Sequence, residues 1–173
     1  MMSSIETGRD GSHSPISSEP TASGAHVTKI PPPLYFVVAF LVGIGLDAVA
    51  EWNKDSGGWY RWVGIALIVA GAAMVLAAVA AFRSHHTTII PHRPVSQMVT
   101  TGVYRLSRNP MYTGIAIIYL GIVGVTPSWW PLVTLPFALL AVRFLVIRPE
   151  ETYLSLRAPA EFEAYSSRVR RWL

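Results

Sequence analysis

The chain reads as an all-α, polytopic membrane helix bundle of about four transmembrane helices, and three observations predict it. Of its 173 residues, 51% are hydrophobic and only 14% charged, where ordinary soluble domains carry roughly a quarter charged residues. The apolar residues gather in four long runs, and the basic residues gather at one set of connections between them. Four spans at roughly 20 residues each use about half of the chain, so no separate soluble catalytic domain fits beside them. The absence of cysteine excludes disulfides, thiolate nucleophiles, Cys-ligated zinc and iron-sulfur clusters. A net charge of +4 and an isoelectric point near 9.7 are explained by membrane topology rather than nucleic acid, because the bases flank apolar runs.

Residues 1–33 are rich in Ser, Thr, Gly and Pro and end in Lys29-Ile30-Pro31-Pro32-Pro33. Such a stretch buries too little surface to offset the entropy of ordering, so it is expected to be a disordered tail. It lacks the apolar segment after a short basic start that marks a cleaved signal peptide. The first helix is expected over 34–50, with Asp47 near its end, and the polar turn EWNKDSGGWYR follows it. The second, over 62–82, is free of charge, starts at Trp62 beside Arg61, and at 1.5 Å per residue reaches roughly 31 Å. The third, over 111–126, and the fourth, over 129–147, are separated only by Pro127-Ser128, which predicts an antiparallel helical hairpin. Gly114, Gly121 and Gly124 would permit close packing of the third helix, while Pro131, Pro136 and Arg143 set the fourth apart from a plain lipid-facing span. From Glu150 onward, Tyr153, Leu154, Leu156, Phe162 and Tyr165 form a broken helical stripe, expected to be an amphipathic helix on the cytosolic face within the C-terminal segment 150–173. Residues 34–173 are thus one membrane domain.

Charge orients the bundle. Arg9, Lys29, Arg83, Arg93, Arg105, Arg108, Arg148, Arg157, Arg168, Arg170 and Arg171 fall on one side, and only Lys54 and Arg61 on the other. That asymmetry predicts an integral protein of a bacterial-type plasma membrane, with both termini and the 83–110 connection in the cytoplasm.

Two segments stand out chemically. The 83–110 connection is long for a membrane hairpin, is basic throughout, and ends in TTGVYRLSRNPMYTG. Asn109 suits an N-cap and Pro110 a first helical turn. The segment is either a capped helix start with interfacial aromatics, or a site where free backbone N–H groups and arginines receive an anion. The second segment is Arg148-Pro149-Glu150-Glu151. Its acids serve either the helix macrodipole or a ligand, as partners for a diol, an ammonium or a proton. His85, His86 and His92 are too loosely spaced, and without a paired acid, to make a metal site, and none is expected. Arg143 is expected either to snorkel or to meet an acidic headgroup, and Asp47 to be interfacial.

The motifs resemble a known family. Gly102-Val103-Tyr104, then Arg108-Asn109-Pro110-Met111-Tyr112 and Gly114, look like the GxYxxxRHPxYxG signature of the isoprenylcysteine carboxyl methyltransferase and phospholipid methyltransferase group. Glu150-Glu151 with Leu154 resembles its EExxL, and Tyr165, Val169, Arg171 and Trp172 its terminal YxxxVPRW. The resemblance implies an integral-membrane enzyme that uses S-adenosyl-L-methionine and methylates a lipidic or hydrophobic acceptor. By position it implies a cofactor shell of Met98, Val99, Tyr104, Arg108, Asn109, Pro110, Met111, Tyr112 and Glu150, with Arg148 and Glu151 as the catalytic pair near the acceptor. Arg108 or backbone N–H groups suit the cofactor carboxylate, Glu150 its diol or ammonium, and Tyr104 or Tyr112 its adenine or sulfonium. A carboxylate acceptor needs no general base, whereas an amine or thiol must lose a proton, for which Glu151 is the candidate.

Departures from the pattern limit the resemblance. Asn109 replaces the motif histidine and cannot titrate near neutral pH. Ala158-Pro159 replaces Phe-Gly, and Phe162 and Arg170 replace Tyr and Pro. These weaken the transfer of acceptor specificity more than that of the cofactor shell. Isoprenylcysteine carboxyl O-methylation is the leading expectation, with phospholipid N-methylation or small-thiol S-methylation as alternatives. A four-helix transporter would call for an acid at mid-depth, and a structural membrane protein would leave the basic connection and the glutamate pair without a role.

Overall fold

A computed structural model describes residues 30–53, 58–84 and 99–173. Every regular element among them is helical. The bulk of the expected N-terminal tail, Met98 and the three connection histidines lie outside the described residues.

Helix α1, Pro32–Leu46, starts on prolines, which suit a first turn because it needs no N–H there. It ends before the expected boundary, with Asp47 at its C-cap and turns through Ala50. Helix α2, Trp59–Ser84, exceeds the expected span at both ends, and its 26 residues reach about 39 Å. Helix α3, Pro110–Val125, follows expectation to within a residue. Helix α4, Trp130–Val142, does not stop where the apolar run stops. It passes through a π-helical turn, Arg143–Ile147, into α5, Arg148–Arg157.

The π turn has a local cause. Pro149 has no N–H for the carbonyl four residues back, and its ring crowds that carbonyl, so the helix widens one turn earlier. Arg148 N–H accordingly donates to Arg143 O. The amphipathic C-terminal helix is also corrected. It breaks at Ala158, whose φ of −138° and ψ of 67° lie outside the helical region that a following proline disfavours, and resumes as α6, Pro159–Ser166. Beyond α6 the chain folds back as a non-helical tail.

Packing pairs α2 with α3 and α1 with α4. The α2–α3 seam is made of glycine. A Cβ on Gly64 would lie 2.6 Å from Gly121 O, and one on Gly71 would lie 2.6 Å from Gly114 O. Backbones this close need glycine on both helices. On α1, a Cβ at Gly43 would meet Pro131 Cα at 2.5 Å. Helices α3 and α4, expected to be antiparallel neighbours in a hairpin, meet more lightly than the other two pairs. Tyr119 bridges them, with its hydroxyl 2.8 Å from Pro131 O and 2.9 Å from Thr134 Oγ1. The main core gathers Phe36, Tyr119, Val123, Leu135, Ala138, Val142, Val146 and Ile147.

The two ends of the bundle differ. At one, Trp52 meets Trp130 edge-on, Tyr60 meets Trp129, and Trp129 N–H donates to Trp52 O at 3.1 Å. At the other lie Arg105, Arg108, Arg148, Arg171, Glu150 and Glu151. Between them the outward faces are apolar, with Leu41 63% and Phe137 67% exposed, an arrangement suited to hydrocarbon rather than water. The helix α2 and the continuous helix Trp130–Arg157 are each long and apolar enough to cross a membrane, while α1 and α3 are shorter apolar helices.

Candidate active site at the arginine-rich end

The site is built by three pieces of chain distant in sequence: the turn before α3, helix α5 and the C-terminal tail. Gly102, at φ 61°, takes the left-handed backbone that glycine tolerates. It opens a 3₁₀ turn, Gly102–Arg105, that swings Tyr104 inward. Tyr104 is 6% exposed, packs with Val99 and Ala78, and meets the Phe82 ring edge-on at 5.4 Å. Met111 packs against the same cluster. Burial, and next the Glu150 carboxylate, push the Tyr104 hydroxyl well above the ordinary tyrosine range.

The start of α3 is held by a hydrogen-bonded knot. Ser107 is fully buried. Its Oγ lies 3.1 Å from Thr113 Oγ1, accepts Asn109 N–H at 3.1 Å, and donates to Arg171 O at 3.2 Å. Arg108 N–H donates to Arg170 O at 2.9 Å. Asn109 occupies the N-cap position as expected, but its side chain does not cap. Its amide Nδ2 reaches the Arg171 carbonyl at 3.3 Å instead. The first turn of α3 therefore has no side-chain cap, which leaves N–H groups for another acceptor. Pro110 is fully buried, and Tyr112 packs half-buried against the main core.

Glu151 is gripped by two arginines. Arg171 donates Nε to Oε1 and Oε2 at 3.0 and 3.1 Å and Nη2 to Oε2 at 2.6 Å, and Arg108 Nη1 stands 3.5 Å from Oε1. This bidentate bond holds the Arg171 guanidinium even more firmly protonated than usual. Trp172 packs onto the main core, so the tail is anchored on both sides of Glu151. Tyr165 of α6 closes the far side by donating to Tyr104 O at 2.7 Å. Burial pushes its hydroxyl up to about 12, against a smaller lowering by Arg108.

Glu150 is placed otherwise. The residue is exposed, but burial of its carboxyl, and next the neighbouring Glu151 charge, push that carboxyl above the usual carboxylate range, and its charge in turn bears on Tyr104 and Tyr112. Arg108 keeps its Nε buried with no hydrogen-bond partner. The arrangement thus offers a carboxylate, a guanidinium with a spare donor, an uncapped helix start and a half-buried tyrosine within one neighbourhood. Arg148 stands apart from this group, its guanidinium 4.6 Å over the Phe144 ring.

Of the expected site residues, the structure gathers Val99, Tyr104 and Met111 in one cluster, Arg108, Asn109 and Glu151 around the tail, and Glu150 beside Tyr104 and Tyr112. Sequence reasoning missed Ser107 and Thr113, and it named Tyr165, Arg171 and Trp172 in the terminal motif without assigning them to the site. The opposite charges of Glu151 and Arg171, each in a family motif, were the available signal.

The pattern of the phospholipid methyltransferase family matches residues 59–157, more than half of the chain. Two rice proteins, from Oryza sativa subsp. indica and subsp. japonica, both called probable protein-S-isoprenylcysteine O-methyltransferase, are each 34% identical over 116 residues. The matched segment covers 64% of this chain and 60% of each relative's length. No solved structure matches the chain.

Proposed function

Because the chain belongs to the phospholipid methyltransferase family, we propose that it is an integral-membrane methyltransferase that transfers a methyl group from S-adenosylmethionine to a lipidic or hydrophobic acceptor. The observation that carries this reading is the convergence of Glu150, Tyr104, Tyr112, Arg108 and the uncapped start of α3 at one end of an apolar bundle.

The donor set suits S-adenosylmethionine. The orphaned Arg108 Nε and the free N–H groups of α3 match a carboxylate, and Glu150 matches an ammonium or a ribose diol. When bound, that cofactor supplies an electrophilic methyl group on a sulfonium. Tyr112 is the aromatic left to face it, since the Tyr104 ring is spent against Phe82 and serves as a wall. Val99 and Met111 complete the apolar lining beside Tyr104, the family resemblance assigns Met98 and Pro110 to the same shell, and Asn109 fixes the lining to the tail. Alignment and exclusion of water are what such a displacement chiefly requires.

Arg148 faces the acceptor side in this reading. Glu151 is a positioning residue: both its oxygens are engaged by arginine, which opposes a role as proton acceptor. That favours an acceptor that needs no base, a carboxylate, as in isoprenylcysteine O-methylation. Phospholipid N-methylation and thiol S-methylation are the alternatives. In this reading helices α1 to α4 all cross the membrane with the site and both termini in the cytoplasm, a topology that the arginine asymmetry supports.

The test is transfer itself. Purified full-length chain with methyl-labelled S-adenosylmethionine is offered N-acetyl-S-farnesylcysteine, phosphatidylethanolamine and a small aryl thiol. Label in a base-labile ester of the first supports the carboxylate reading, label in either of the others replaces it, and label in none overturns it.

A further inference from the structure

Arginine is always charged, and a guanidinium held at membrane depth without a partner is costly. Arg143 is in that position. It lies at the start of the π turn with its Nε buried and without a hydrogen-bond partner. Its guanidinium carbon is 5.7 Å from the Phe144 ring centroid, and that of Arg148 is 4.6 Å from the same ring. Among the described residues, the ion pairs of this end go to Glu151 from Arg108 and Arg171, and neither Arg143 nor Arg148 has one.

The π turn explains how the two come to share a ring. In an unbroken α-helix, residues five apart would be turned about 140° from each other around the axis. The i→i+5 bond from Arg148 N–H to Arg143 O instead brings the later residue back over the earlier one. Phe144, 46% exposed, and Leu145, 44% exposed, give this side an apolar outer surface. Two unpaired guanidiniums thus flank an aromatic ring just where the apolar stretch gives way to the charged one.

We propose that Arg143 and Arg148, set on one side by the π turn, form a binding site for an oxyanion, phosphate or carboxylate, carried by a lipid at the membrane surface. The ligand is either an anionic phospholipid headgroup or the anionic group of the acceptor. The site itself requires only that this end of α4 lies at the membrane surface. The acceptor variant rests on the methyl-transfer reading, and the phospholipid variant does not.

The experiment uses full-length protein in nanodiscs of phosphatidylcholine alone or with phosphatidylglycerol, and measures thermal stability. A parallel binding measurement compares N-acetyl-S-farnesylcysteine with its uncharged carboxamide. Variants are Arg143→Gln, Arg148→Gln and their combination, with Arg83→Gln as a control for general surface charge. A cooperative thermal transition of each variant in phosphatidylcholine nanodiscs checks that its fold is intact. The proposal expects the wild type to prefer the anionic partner in at least one arm. It expects Arg143→Gln to weaken that preference about tenfold or more, as the loss of charge-assisted bonds requires, and Arg83→Gln to leave it in place. A preference in the nanodisc arm assigns the site to phospholipid, even if no methyl transfer is ever found, and one in the farnesylcysteine arm assigns it to the acceptor. No preference in either arm, or a preference that survives in a folded double variant, overturns it.

Discussion

Glu151 is the residue on which the site's geometry turns. Its carboxylate ties α5 to the tail through Arg171 and to the α3 start through Arg108. Replacing it with Gln leaves two guanidiniums facing each other over a neutral group. A loss of about 2 kcal/mol in stability is expected, as for partly buried charge-assisted bonds. Cofactor binding should weaken while the preferred acceptor stays the same, and a Glu151→Gln variant that keeps full affinity and melting temperature would show that the clamp is decorative. Tyr165→Phe removes one buried bond, to Tyr104 O, at about 1 kcal/mol. It should also change the alkaline limb. The Tyr165 hydroxyl rises on folding from 10.0 to about 12, so its contribution is complete below pH 10 and is lost as pH rises from 10 to about 12. Melting temperature recorded across that window should fall less steeply for Tyr165→Phe than for the wild type. Part of the slope remains in the variant, because Tyr104 is shifted in the same direction.

At the scale of elements, the α2–α3 seam determines whether the start of α3 is presented at all. Gly64, Gly71, Gly114 and Gly121 allow backbone contact with no room for a methyl group. Gly71→Val is therefore expected to cost about 1–3 kcal/mol by overpacking and to displace the Asn109–Tyr112 turn. The check is protease sensitivity of the folded protein near that turn, with Gly45→Val as the comparison, since nothing lies within 4 Å of a Cβ at Gly45. Helix positions were legible in the chain because uninterrupted apolar runs and the prolines at helix starts act locally. Partner choice was not. The glycines of the third helix pointed to close packing, but the short Pro127-Ser128 link suggested α4 as the partner. The matching glycines on α2, spaced seven apart at Gly64 and Gly71, decide for α2. The π turn was also hidden, since Pro149 reads equally well as the end of one helix or the widening of a continuous one.

For the whole molecule, the low charge count and the one-sided arginines take on a structural meaning. The apolar exterior leaves polar chemistry to the ends of the bundle, and one end collects the buried knot around Ser107, the Glu151 clamp and Glu150. Much of that site was readable as motifs in order along the chain. Its closure was not, because Arg170, Arg171 and Trp172 return to α3 and α5 through backbone carbonyls and a core contact that leave no periodic trace. If this end faces the cytosol, as proposed, a reporter fused after Leu173 is active in the cytosol and silent outside. The most direct measurement of the central claim is calorimetric binding of S-adenosylmethionine to the purified full-length protein, beside Glu150→Ala and Tyr112→Ala. The account predicts saturable binding by the wild type and at least a tenfold weaker affinity in each folded variant. A folded wild type that binds no S-adenosylmethionine, or variants that bind it as well as the wild type, would contradict the claim.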